Sequence, residues 1–223
     1  MKTKKLHEWV LSYKEAVRIQ QQLASLVKST AMRKKAVIIA GLDCAFSKDG
    51  KKIFAAAIVI NLTDFSIIET ATAARKLEFP YIPGLLSFRE APACIEVIEK
   101  LKNTPDCFII DGQGIAHPRR FGIASHIGLL IDKPTIGCAK SRLTGTFEEP
   151  KKRKGSFSPL MDSDEQIGAV LRTRTGVKPV FVSVGHKCTL EDAIKIVLDC
   201  TTKYRLPEPS RLAHQFVGRA KLA

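Results

Sequence analysis

The chain has 223 residues, 45% of them hydrophobic and 26% charged, a composition that supports a packed core and excludes a disordered or fibrous protein. A net charge of +14 and a pI near 9.7 favour polyanionic partners, nucleic acid first among them. Six cysteines without a CxxC pair fit no usual zinc or disulfide framework, and the longest strongly apolar run, Ile53–Ile60, is too short for a bilayer. The expectation is a reduced, cytoplasmic protein with no membrane partner.

Apolar residues Trp9, Tyr13, Ala16, Val17, Leu23 and Val27 recur near a 3.6 period and predict an amphipathic helix over 6–28. Ala36–Leu42 reads as a buried strand ending at Asp43, followed by strands over Ile53–Ile60 and Phe65–Arg75 with polar turns between them. Short turns imply an antiparallel start to the sheet. Two prolines bracket Pro80-Tyr81-Ile82-Pro83 before Gly84, so this segment is a loop. A helix runs from Ser87 or Phe88 to Leu101, with Pro92 tolerable only in its first turn. Cys107–Ile110 is a strand that delivers Asp111, Phe121–Leu130 a short helix, and Thr135–Ala139 a strand that delivers Lys140. Strands follow at Ile167–Arg174 and Val180–Ser183. Thr189 with Asp192 three residues on resembles a capping box and opens a helix to about Cys200. A last helix over Ser210–Arg219 carries His214. No repeat or linker interrupts the chain, so the reading is one α/β domain over 1–223, with a catalytic core over about 36–220 and a central mixed sheet flanked by helices.

Chemistry concentrates where two apolar strands each end in an aspartate. Two carboxylates meeting at such a cleft repel unless a cation lies between them. Oxygen ligands of this kind suit Mg²⁺ or Mn²⁺. Glu90 and His214 are candidates for further ligands or for orienting a water, and Lys140 for neutralising a phosphate oxygen. Each residue also has an ordinary role open to it. Asp43 or Asp111 can cap loop amides, Glu90 can complement a helix dipole, and Lys140 and His214 can be solvated. Spacing alone does not make these five a site.

The segments GLDCAFS (41–47), PYIPGLLSFRE (80–90), IIDGQGIAHPRRFGIASHIG (109–128), PTIGCAKSRLTG (134–145), IGAVLRTRTGVKPVFVSVGHK (167–187) and RLAHQF (211–216) decide more. Together they resemble, in family order, endonuclease V, the metal-dependent nucleases of deaminated bases in the ribonuclease-H-like superfamily. The resemblance implies a ribonuclease-H-like fold, metal binding by Asp43 and Asp111 with Glu90 as a further ligand, and catalytic roles for Asp43, Glu90, Asp111, Lys140 and His214. It makes Tyr81, in a loop fixed by Pro83, the wedge that fills the gap left by a flipped base. Gly84, Leu85, Gly122 and Ile123 become a tight, mostly backbone-lined pocket for hypoxanthine. His117 and Arg119–Arg120 are expected at the phosphodiester backbone, or else solvated. Cys44, beside Asp43, is expected to pack rather than to bind metal.

The implied activity is hydrolysis of the second phosphodiester bond 3′ to deoxyinosine or inosine, leaving 3′-hydroxyl and 5′-phosphate ends, by a monomer using Mg²⁺, with Mn²⁺ able to substitute. Alternatives are an inosine-specific endoribonuclease, a non-catalytic nucleic-acid-binding protein of the same fold, and another ribonuclease-H-like nuclease. Retained carboxylates argue against the non-catalytic reading, because without metal they only weaken phosphate binding. The rigid PYIPGLLSFRE loop argues against a junction resolvase or hybrid ribonuclease, neither of which needs a wedge beside a base pocket.

Overall fold

The computed structural model describes residues 1–9 and 12–221. In chain order the elements are α1 (Tyr13–Ala24), β1 (Ile38–Phe46), β2 (Lys52–Asn61), β3 (Ile67–Lys76), α2 (Leu86–Glu99), β4 (Cys107–Ile110), α3 (Ile123–Ile131), β5 (Thr135–Ala139), β6 (Phe157–Asp162), β7 (Glu165–Leu171), β8 (Val180–His186), α4 (Leu190–Asp199) and α5 (Glu208–Ala220). The strands form one sheet in the order β3-β2-β1-β4-β5-β8-β7-β6. β1, β4 and β5 run parallel, and the flanking strands pair antiparallel. Helices cover both faces, so β4, β5 and β8 are buried along their whole length. This mixed sheet with flanking helices is the expected ribonuclease-H-like arrangement.

One core lies between the sheet and α2 and α3, around Phe108, Ile110, Val97 and Ile127. A second lies on the side of α4 and α5, around Ile39, Ile109, Val182 and Val197. Among the described residues no helix is long and apolar enough to cross a membrane.

Several boundaries differ from the expectation for physical reasons. α1 begins only at Tyr13, because Ser12 and Glu15 form a reciprocal capping box. Trp9 belongs instead to the preceding segment and packs edge-on against Phe88 and His7. β1 continues through Asp43 to Phe46, since Asp43 stays in register opposite Ala56. Asp43 is therefore inside a strand rather than at its end, whereas Asp111 does follow directly on β4. α2 starts at Leu86, which places Pro92 in its second turn rather than its first. β6 was not expected; Pro159 interrupts its pattern, and it is tolerated because β6 is the sheet edge. β8 extends to His186, α3 is capped at Gly122, and α5 starts at Glu208 behind Pro207.

Candidate active site

The parallel strands β1, β4 and β5 point their C-terminal ends at one side of the molecule, where a cleft of about 490 Å³ opens. Asp43 enters it from β1, Asp111 from the turn after β4, Lys140 from the end of β5, Glu90 from the second turn of α2 and His214 from α5. All five expected catalytic residues line this one cleft. His214 Nδ1 lies 2.6 Å from Asp43 Oδ2, and Lys140 forms an ion pair with Asp111. Asp43 Oδ1 accepts the Cys44 amide at 2.8 Å.

The electrostatics are those of a site short of positive charge. Burial, followed by the neighbouring Asp111 carboxylate, pushes the Asp43 pKa up. Burial and then Asp43 and Asp111 push Glu90 up to about 8. Asp43 and Glu90 thus hold protons more tightly than usual, first because they are buried and then because other carboxylates stand beside them, and a divalent cation would relieve that repulsion. Asp43, Asp111 and Glu90 form an oxygen-donor set, which fits a hard cation. Among the described residues no three or more His, Cys, Asp or Glu side chains are grouped so as to hold a metal ion by themselves. An open set of this kind suits an ion that keeps waters and takes ligands from a phosphate.

The cleft is also lined by Tyr81, Ile82, Pro83, Gly84 and Leu86 and by Gly122 and Ile123. Tyr81 is 70% exposed and projects from the loop. Gly84 has φ +76°, a left-handed conformation that glycine adopts without steric penalty. Its carbonyl accepts hydrogen bonds from Gln20 Nε2 (3.0 Å), His117 Nε2 (2.9 Å) and Arg119 Nη2 (2.8 Å). At Gly122 a Cβ would stand 2.2 Å from the Gln113 carbonyl oxygen, so only glycine lets α3 start this close to the 112–114 turn.

Three expectations about this part of the lining need correction. Leu85 is fully buried and packs with Phe79 and Phe88; the residue that lines the cleft is Leu86. His117 lines the cleft but is 97% buried and spends Nε2 on Gly84, so it shapes the pocket rather than meeting a phosphate. Burial holds its pKa down, to about 4, and the imidazole is neutral. Arg119 is held by Gly84 and by Gln20 Oε1 (2.6 Å), and Arg120 by Asp162 (2.8 Å) and Glu165 (2.7 Å), so both are part-exposed and anchored to protein groups. Cys44 packs on Cys94, with Sγ–Sγ 3.4 Å.

Two residues went unnoticed in the sequence. Gln20 is buried on the apolar face of α1 and joins the Gly84 carbonyl to that of Phe121 (2.9 Å). Its signal was a polar residue next to Ile19 on a face that otherwise reads apolar. Gln113 donates from Nε2 to the Ser141 carbonyl at 3.0 Å, which fixes the amide orientation and leaves Oε1 a buried acceptor without a partner among the described residues.

A family model for endonuclease V matches residues 21–215. The chain belongs to the endonuclease V family. The endonuclease V of Nostoc punctiforme is 50% identical over 219 residues, 98% of this chain and 99% of that protein. The crystal structure of the Streptomyces avermitilis endonuclease V superposes with a TM-score of 0.91 at 40% identity, covering 95% of this chain and 94% of that one. The Ciona intestinalis endonuclease V, solved in complex with DNA containing an inosine followed by a ribo-adenosine, gives 0.84 at 28% identity, covering 95% and 99%. The chain is accordingly an endonuclease of a metal-dependent nuclease family.

Proposed function

We propose that this chain, as a monomeric single-domain enzyme, recognises hypoxanthine in a strand and hydrolyses the second phosphodiester bond on its 3′ side. The observation that carries this reading is the pairing of two sets of residues in one cleft: the carboxylates with Lys140, and the backbone-lined Gly84–Gly122 pocket. A flipped base would enter between Gly84 and Gly122, with Tyr81, held between Pro80 and Pro83, filling the vacated stack.

Asp43, Asp111 and Glu90 would hold Mg²⁺, with Mn²⁺ able to substitute; when bound, the ion supplies Lewis-acid charge at the scissile phosphate. Lys140 offsets charge on the non-bridging oxygens. Glu90, which keeps its proton near neutral pH while no cation offsets the neighbouring carboxylates, would give it up to serve as a ligand of the ion, and His214, oriented by Asp43, is placed to take the proton of the attacking water. Water adds in line to phosphorus while the P–O3′ bond breaks, leaving a 3′-hydroxyl and a 5′-phosphate.

Deoxyinosine in DNA is the substrate put first. Inosine in RNA is a second reading, favoured by the Ciona intestinalis complex, whose strand carries a ribonucleotide after the inosine. The test compares matched strands carrying adenosine, inosine or deoxyinosine, each followed by a deoxy- or ribonucleotide, with Mg²⁺ and with the cut mapped. Cleavage confined to the hypoxanthine strands, one bond removed from the lesion's own 3′ phosphate, is expected. Equal cleavage of the adenosine strands would refute the base pocket.

A further inference from the structure

At the end of the sheet opposite the cleft, a second groove of about 650 Å³ is lined by Lys28, Arg33, Lys34, Lys133 and Lys187. Topology gathers them there. The segment before β1, the turn before β5 and the residue after the antiparallel β8 all arrive at the N-terminal ends of the parallel strands. The scaffold is fixed by backbone bonds that leave the side chains free. Lys187 N donates to Lys28 O (2.6 Å), Lys28 N to His186 Nδ1 (3.2 Å) and Met32 N to Asp192 Oδ2 (3.0 Å).

The two acids in the groove are already used. Asp106 Oδ2 accepts the Val37 and Ile38 amides, both at 2.9 Å. Asp132 pairs with Lys187 at 2.7 Å and Lys4 at 3.4 Å. Lys28, Arg33, Lys34 and Lys133 take part in no ion pair among the described residues, and with Lys187 set against Asp132 and Asp106 the groove keeps a net excess of positive charge. None is buried, and no buried donor forms a cage, which suits the backbone of a polyanion rather than one small anion.

We propose that this groove is a second nucleic-acid site, which holds the phosphodiester backbone of one segment without regard to sequence while the cleft engages another. The inference rests on the cleft binding nucleic acid and goes beyond it, since the two grooves open at opposite ends of the sheet and serve different segments.

The test is a bridging assay without divalent metal, so that an immobilised inosine strand is bound and not cut. Full-length protein captured on that strand is offered a labelled, undamaged duplex. The wild type captures the duplex. The quadruple variant Lys28→Glu, Arg33→Glu, Lys34→Glu, Lys133→Glu loses capture at least about tenfold, and the log–log salt slope for the undamaged duplex falls by up to about 3–4. A charge-matched control reversing the exposed Lys2, Lys5, Lys102 and Lys195 keeps capture. Undiminished capture by the quadruple variant, or equal loss in the control, overturns the proposal. Polyglutamate competing as well as duplex at matched charge overturns its assignment to nucleic acid. Failure of the inosine strand to hold the protein at all is a separate result, which counts against the reading of the cleft.

Discussion

Glu90 and His117 face the same cleft and carry opposite linkages. Glu90 in the metal-free protein titrates near 8, above its unfolded value, so the folded state binds the extra proton and stability falls as pH rises from about 4.5 to 8. Glu90→Gln should therefore stabilise the metal-free protein at pH 8 by on the order of 2–4 kcal/mol, with the gain vanishing near pH 4.5, as read by urea denaturation. His117 titrates near 4, below its unfolded value, so the unfolded state binds the proton and stability is lost as pH falls from about 6.5 to 4. His117→Gln, which keeps a donor for the Gly84 carbonyl, should remove on the order of 3 kcal/mol of that pH dependence. A His117→Gln protein with the wild-type acid profile would show that another group carries it. At this scale apolar runs singled out Asp43 and Asp111 as acids in need of a partner, but only the resemblance to endonuclease V joined them with Glu90, Lys140 and His214 into one candidate site, which the fold then brings to one cleft. The roles of His117, Arg119 and Arg120 were not legible, because a basic loop looks the same whether its side chains meet phosphate or neighbouring carbonyls.

The base-pocket wall depends on an element far from it in sequence. Gln20, on α1, ties the Gly84 and Phe121 carbonyls together and accepts from Arg119, so α1 sets the spacing between the two loops. Gln20→Leu takes this partner from the Phe121 carbonyl and from Arg119 Nε, while the Gly84 carbonyl keeps His117 and Arg119, and should cost about 1–3 kcal/mol of stability, together with a loss of discrimination between inosine and adenosine strands that exceeds the loss of maximal rate. Unchanged discrimination in a destabilised variant would make Gln20 merely structural. The capping boxes at Ser12 and Thr189 have different histories. Thr189 was legible because Asp192 stands before an apolar run, whereas Ser12 was hidden because Trp9 continued the helical period across it. Periodicity cannot tell one helix from a helix plus a packed N-terminal segment. The antiparallel start of the sheet was legible from short turns, and the edge strand β6 was masked by its own proline.

For the whole molecule, the two ends of one sheet differ in charge, carboxylates gathering at one and lysines and arginine at the other. The parallel trio β1, β4 and β5 sends Asp43, Asp111 and Lys140 to one end and leaves Lys28, Arg33, Lys34 and Lys133 at the other. Composition points to a polyanion-binding protein, but only the topology places the carboxylate cleft and the basic groove at separate ends of the sheet. Raising salt should therefore weaken capture of undamaged duplex steeply while leaving the single-turnover rate of bound inosine strand nearly constant. A bound-state rate that fell in parallel with affinity would place the salt-sensitive contacts in the cleft itself.

The account turns on the carboxylates that share that cleft, and one measurement meets it directly. Asp43→Ala and Asp111→Ala are compared with wild type for Mg²⁺-dependent nicking of an inosine strand under single-turnover conditions, with folding checked by thermal denaturation. Both variants should remain folded and lose at least about a thousandfold in rate. Near-wild-type cleavage by either folded variant would contradict the account.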